Sequence, residues 1–209
     1  MRESSLRAVD VALTIEQLGP GGIGTVVATA IGTRHDGTWR RWPIDRIAVR
    51  PGYREAAAWL EAKGGDPREF GFHLRDTSSA LVMVEEGDFL GGEPLARAIW
   101  ASAAVRTWRP KFGMVQLAGV DLPAPASRGG GRVDVPRRAV LSALADGLAL
   151  RRLRIDKSEK ELQDQLARQR AKVDPEERDG ALVRVLALAV WGATLRLRRA
   201  ELEQPRRTA

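Results

Sequence analysis

AVDVALTIEQLGPGGIGTVVATAIGTRHDGTWRRWPIDRIAV, residues 8–49, is the stretch whose reading decides the fold. Val9, Val11, Leu13 and Ile15 alternate with Asp10, Ala12, Thr14 and Glu16, the period-two pattern of a strand. Gly19-Pro20-Gly21-Gly22 then breaks the chain into a turn. The following IGTVVATAIG, residues 23–32, is too rich in Val and Thr to favour a helix and reads as a second strand. Asp36-Gly37 between strand-like residues is a strong hairpin signal, because both residues tolerate positive φ. The chain therefore opens with a three-stranded antiparallel meander, which later segments must cover.

Outward from this meander the elements alternate. Arg50-Pro51-Gly52 ends the third strand, and YREAAAWLEAK, residues 53–63, is a short helix stopped by Gly64-Gly65. Residues 70–74 fit either a minor strand or a loop. ALVMVE, residues 80–85, is a continuous apolar run that suits a central, parallel strand buried on both faces. A helix over 93–105 and a strand over 112–120 complete a β-α-β unit, a crossover that is almost always right-handed. PAPASRGGG, residues 123–131, reads as a linker-like loop. An amphipathic helix over 137–150 leads through a short β-like link, RLRI, into a charged surface helix over 159–172. The last helix, 180–203, is apolar nearly all round through residues 185–195 and must pack beneath other elements. These features predict one domain over 1–195 and a basic C-terminal tail over 196–209.

With 209 residues and 44% apolar residues, the chain has enough material for a full core. It contains no cysteine, which excludes disulfides and thiolate metal sites. MRESSLRAVD lacks the apolar segment of a signal peptide, and the longest apolar run falls short of the roughly 18–20 residues of a membrane span. The expected setting is cytoplasmic, with no membrane partner. A net charge of +7 and a pI near 10.6 admit a polyanionic partner, although the excess of Arg over Lys also fits a GC-rich genome.

Two segments carry a resemblance. LTIEQLGPGGIGT, residues 13–25, resembles the opening strand and glycine turn of ribonuclease H, with Glu16 where that family has Asp. Residues 132–191 contain RVDVPRRAVLSALADGLALRRLRI, then KELQDQLARQRAKV, then ALVRVLALAVW. This series resembles the nuclease domain of phage terminase large subunits, in which a V-P-[KR] segment, a G-R-L-[KR]-I link, an E-L-x-x-F helix and D-D-L-V-x-A-x-A-L-A-x-W follow one another. The family's paired aspartates fall on Gly180 and Ala181, and the nearest acid is Asp179. The resemblance implies an α/β fold with an RNase H-like mixed sheet: three antiparallel strands, then parallel strands, flanking helices and a buried C-terminal helix.

It also implies a chemistry. Two-metal phosphodiester hydrolysis needs three or four carboxylates converging on a pair of divalent ions, Mg2+ or Mn2+. The first and fourth strands of such a sheet are neighbours, so Glu16, Glu85 and Asp179 are the expected catalytic and metal-binding acids. Glu55, Glu86 and Asp88 stand in reserve. Each also has a plainer role, as strand-end residues or, for Asp179, as a first-turn helix acid. The absent paired aspartates leave a second reading open: an inactive RNase H-like module for DNA binding or phage assembly. No G-x-x-x-x-G-K-[ST] motif occurs, so there is no ATP site and any packaging motor would be a separate terminase ATPase or other phage protein.

Double-stranded DNA is the expected partner. Arg40 and Arg41, beside Trp39 and Trp42, and the basic end at Arg196, Arg198 and Arg199 are the expected contacts, either by stacking or by phosphate binding. An edge strand alternating Arg and Trp is the simpler account of the first group. His35 and His73 each stand alone, and the glycine turn joins two strands rather than opening a helix, so neither points to a site.

Overall fold

The computed structural model describes residues 6–66, 80–85, 92–108, 111–118, 124–129, 132–171 and 180–203. Strands β1 (Leu6–Leu18) and β2 (Gly24–Arg34) form a long antiparallel pair joined through a short turn at Pro20–Gly22. The third strand of the meander is split in two. β3 (Trp39–Arg41) and β4 (Asp45–Val49) both pair antiparallel with β2, because Pro43 between them lacks the N–H a continuous ladder needs. The β2–β3 hairpin closes at Arg34, whose N–H bonds Thr38 O at 2.9 Å, with Gly37 alone taking positive φ at 79°.

α1 (Arg54–Gly65) crosses back, and β5 (Ala80–Glu85) lies parallel to β1, with Leu13 beside Val84. α2 (Gly92–Ala101) and α3 (Ala103–Trp108) replace the single helix expected over 93–105. Ser102 separates them: its hydroxyl accepts the Val105 N–H at 3.2 Å and so caps the second helix. β6 (Lys111–Ala118) continues the sheet parallel to β5, and β8 (Arg132–Pro136) is parallel to β6. The expected loop over 123–131 contributes β7 (Ala126–Gly129), an edge strand antiparallel to β8. The sheet order is β3-β2-β1-β5-β6-β8-β7, with β4 beside β2. The expected segment 70–74 lies outside the described residues.

α4 (Arg137–Ala149), α5 (Lys160–Ala171) and α6 (Ala181–Glu203) finish the chain. The RLRI link is no strand but a turn that follows the end of α4, where Leu153 N–H bonds Gly147 O at 3.0 Å. The alternation read in β1 sorts the core into two layers. Val9, Val11, Leu13 and Ile15 face α1, α2 and α3, whereas Ala12, Val27, Ile31 and Met83 face α4, α5 and α6. Every residue from Ala181 to Val190 of α6 is buried. The helix lies so close to the sheet that a Cβ on Gly192 would stand 2.6 Å from Met83 Cε. α6 crosses β1, β2 and β5 and runs on helically through Glu203, past the start of the expected tail. No helix among the described residues is long and apolar enough to cross a membrane. Three antiparallel strands, then parallel strands, with helices on both faces and a buried closing helix: the fold is RNase H-like, as the resemblance implies.

Candidate functional site: a buried acid closed by arginine

Parallel pairing of β5 with β1 brings Glu85, at the end of β5, abreast of Thr14 on the face covered by α6. Glu85 is 5% exposed. An ionised carboxylate that deep requires a counter-charge, and α6 provides one. Arg184, 6% exposed, donates from Nε to Glu85 Oε2 at 2.9 Å. Its Nη2 donates to the Ile15 carbonyl at 2.9 Å and to Thr14 Oγ1 at 3.2 Å, and the Thr14 hydroxyl in turn donates to Glu85. Glu85, Thr14 and Arg184 thus form one buried network tying the two central strands to the closing helix. The first turn of that helix is fixed from α5, whose Gln165 Oε1 accepts the Leu182 N–H at 3.1 Å.

The expected acids do not meet as a set among the described residues. The β1–β2 register slips between Ile15 and Gln17, so Glu16 is an unpaired bulge residue, a feature that re-aims a side chain. Its carboxylate is held by Arg46 on β4, at 2.8 Å from Nε and 2.9 Å from Nη2. Arg46 also bonds Glu161 on α5, at 2.9 Å from Nη1, which holds the Glu161 carboxyl below its ordinary value. Both carboxylates drive the Arg46 pKa further up. Asp179, Glu86 and Asp88 lie outside the described residues. Glu55 opens α1 and accepts the Arg50 N–H at 3.3 Å.

The expected nucleic-acid contacts are redistributed as well. Trp39 and Trp42 are 8% and 7% exposed, in the two opposite core layers, and offer no stacking surface. Arg40 lies over the Trp42 ring at 4.7 Å from its centroid, while Arg41 is ion-paired with Glu159. Arg196, Arg198 and Arg199 continue the backbone of α6, and their side chains lie outside the described residues. Arg184 and Thr14 are the functional residues that the sequence reading passed over. Their signal was present, since Arg184 is the one charge within ALVRVLALAVW, and a lone charge in a fully buried helix demands a partner.

A divalent-metal pair does not fit the described side chains. Among them no three His, Asp or Glu residues gather to hold an ion, and the buried acid at the strand end already has its counter-charge in the Arg184 guanidinium.

Fold and site define the class: an RNase H-like α/β domain whose strand-end acid is locked to an arginine of the closing helix. No protein-family model matches the chain, and no curated protein matches it. Among solved structures it is similar to Thermus thermophilus RuvC, at 13% identity and a TM-score of 0.44, over 90% of this chain and 96% of that one. It is also similar to T. thermophilus RuvC in complex with a Holliday junction substrate, at 12% identity and a TM-score of 0.43, with the same coverage. At this distance the strand order and connectivity described above carry the assignment of the fold.

Proposed function

We propose that this chain is an RNase H-like module that binds double-stranded DNA without hydrolysing it. The observation that carries the reading is the Glu85–Arg184–Thr14 network, in which a fixed guanidinium supplies the charge that divalent ions supply in a two-metal site. For Glu85 to ligate a metal, Arg184 would have to give up its bond to this carboxylate inside a buried site, and breaking a buried ion pair costs about 3–5 kcal/mol. Glu16 is likewise committed, to Arg46. The net charge of +7 supports a polyanionic partner. The likeness of residues 132–191 to terminase nuclease domains supports a phage or prophage setting, with any ATPase on another chain.

The test is incubation of supercoiled plasmid with wild-type protein over a range of Mg2+ and Mn2+. The expected result is a retarded but covalently intact plasmid at every metal concentration. Metal-dependent nicking that Glu85→Gln abolishes would overturn the reading and restore Glu85 as a ligand.

A further inference from the structure

An open groove of about 720 Å³ lies between the β2–β3 hairpin and the connector that follows α4. Its lining carries six cations, Arg34, Arg41, Arg151, Arg152, Arg154 and Lys157, against the carboxylates of Asp36 and Asp156. Both carboxylates are engaged in their own turns: Asp36 accepts the Thr38 N–H and hydroxyl, and Asp156 accepts those of Ser158. Those bonds hold both carboxyl groups below the ordinary aspartate value. Arg41 is paired with Glu159, and Arg152 lies over the Trp39 ring at 5.9 Å. Among the described residues Arg151, Arg154 and Lys157 form no ion pair. Like charges crowded this way repel one another, and a polyanion relieves that repulsion.

Two further features set this groove apart from an ordinary basic surface. Buried in its lining, Trp39 Nε1 and Arg41 Nη1 are N–H donors without a hydrogen-bond partner among the described residues. Arg151 adopts a left-handed backbone at φ 54°, just past the end of α4, at the position where a helix ordinarily ends in glycine. A side chain there carries strain that glycine lacks.

We infer that this groove, remote in sequence from Glu85, is the surface that grips the phosphate backbone of duplex DNA. Arg151, Arg154 and Lys157 contact successive phosphates, and the strain at Arg151 is retained for the guanidinium it presents. The duplex follows from the aromatic inventory: the one ring in the lining, Trp39, is buried, so unstacked bases of a single strand find no platform. The inference rests on the reading of the chain as a DNA-binding module and gives that module its contact surface.

The experiment is fluorescence anisotropy of a labelled duplex titrated with the full chain over a series of KCl concentrations. Four proteins are compared: wild type, the groove variant Arg151→Gln/Arg154→Gln/Lys157→Gln, a control Arg7→Gln/Arg54→Gln/Arg106→Gln with the same charge change at exposed sites elsewhere, and Arg151→Gly. The groove variant is expected to bind at least about tenfold more weakly at 100 mM salt, and its log K against log[salt] slope to fall by about 2.7, or 0.9 per phosphate contact. The control is expected to stay within about threefold of wild type. Arg151→Gly is expected to bind more weakly, with a slope lower by about 0.9, while its Tm rises by about 2 °C. A groove variant equal to wild type, or a control that loses as much as the groove variant, overturns the groove and leaves the DNA-binding module standing. So does an Arg151→Gly protein that binds as tightly as wild type. Tighter binding of a labelled single strand overturns the duplex assignment. Wild type that binds no DNA at 25 mM salt removes the module reading itself, and the groove with it.

Discussion

Replacing Arg184 by Met leaves the Glu85 carboxylate, 5% exposed, with the Thr14 hydroxyl as its one remaining partner in the described network. Breaking a buried ion pair from one side costs about 3–5 kcal/mol, because the survivor stays desolvated without its counter-charge. In a chain of 209 residues each kcal/mol shifts Tm by about 2–4 °C. Arg184→Met should therefore lower Tm by about 6–20 °C. Glu85→Leu should do comparable harm, since it takes from the buried guanidinium the carboxylate that Nε bonds. The double variant Glu85→Leu/Arg184→Met removes both charges and fills the space with apolar atoms, so its stability should return to within about 3 kcal/mol of wild type, the remaining loss coming from the Ile15 carbonyl and the Thr14 hydroxyl, which lose their bonds to Arg184 and Glu85. Urea unfolding of all four proteins gives the coupling free energy, expected to exceed about 3 kcal/mol. Single variants that each lose less than about 1 kcal/mol, or a double variant as unstable as the two losses summed, would refute the argument that this network binds the central strands to α6.

Two other expectations follow from the same structure. A Cβ on Gly24, at the start of β2, would stand 2.2 Å from the backbone oxygen of Gln17, so Gly24→Ala should destabilise the β1–β2 turn by about 1–3 kcal/mol in chemical denaturation. The Arg46 pair with Glu161 should show in acid: Glu161 sits below its ordinary value of 4.5, mainly through its hydrogen bond from Arg46. A depressed carboxyl stabilises fully above the unfolded value and ceases to do so as pH falls through the folded one. The pair is largely exposed, so the effect is below about 1 kcal/mol, and Arg46→Gln should flatten the acid limb of a Tm–pH profile below pH 4.5 while leaving the neutral region nearly parallel.

The fold was legible where local pattern and tertiary environment agree. β1 alternates because its two faces meet two different helical layers, and residues 80–84 are apolar throughout because β5 is covered on both sides. β7 was not legible: ASRG carries no alternation of apolar and polar residues, and its pairing with β8 depends on backbone bonds that side-chain identity does not encode. The split at Ser102 lay in plain sight as a capping residue within an otherwise helical pattern. For Trp39 and Trp42 stacking on nucleic acid stood beside the simpler edge-strand account, and neither expectation placed the two rings in opposite core layers, although a spacing of three sends strand side chains to opposite faces. Each instead fills a core against a glycine. A Cβ on Gly147 would meet the Trp39 ring at 2.8 Å, and one on Gly32 would meet the Trp42 ring at 2.8 Å.

The site was half legible. That Glu85 would end a central strand next to β1 followed from the order of elements. That its partner would be a cation from α6 did not, because the contact joins residues 99 positions apart. Glu16 was drawn off by a bulge, which alternation alone does not reveal.

Calorimetric titration of Mn2+ into the wild-type protein at neutral pH tests the closure of the buried acid most directly. With Arg184 seated on Glu85, no saturable binding that depends on Glu85 is expected, so wild type and Glu85→Gln should give superimposable heats. Stoichiometric Mn2+ binding by wild type that disappears in Glu85→Gln would show that the guanidinium yields to a metal, and would contradict the account.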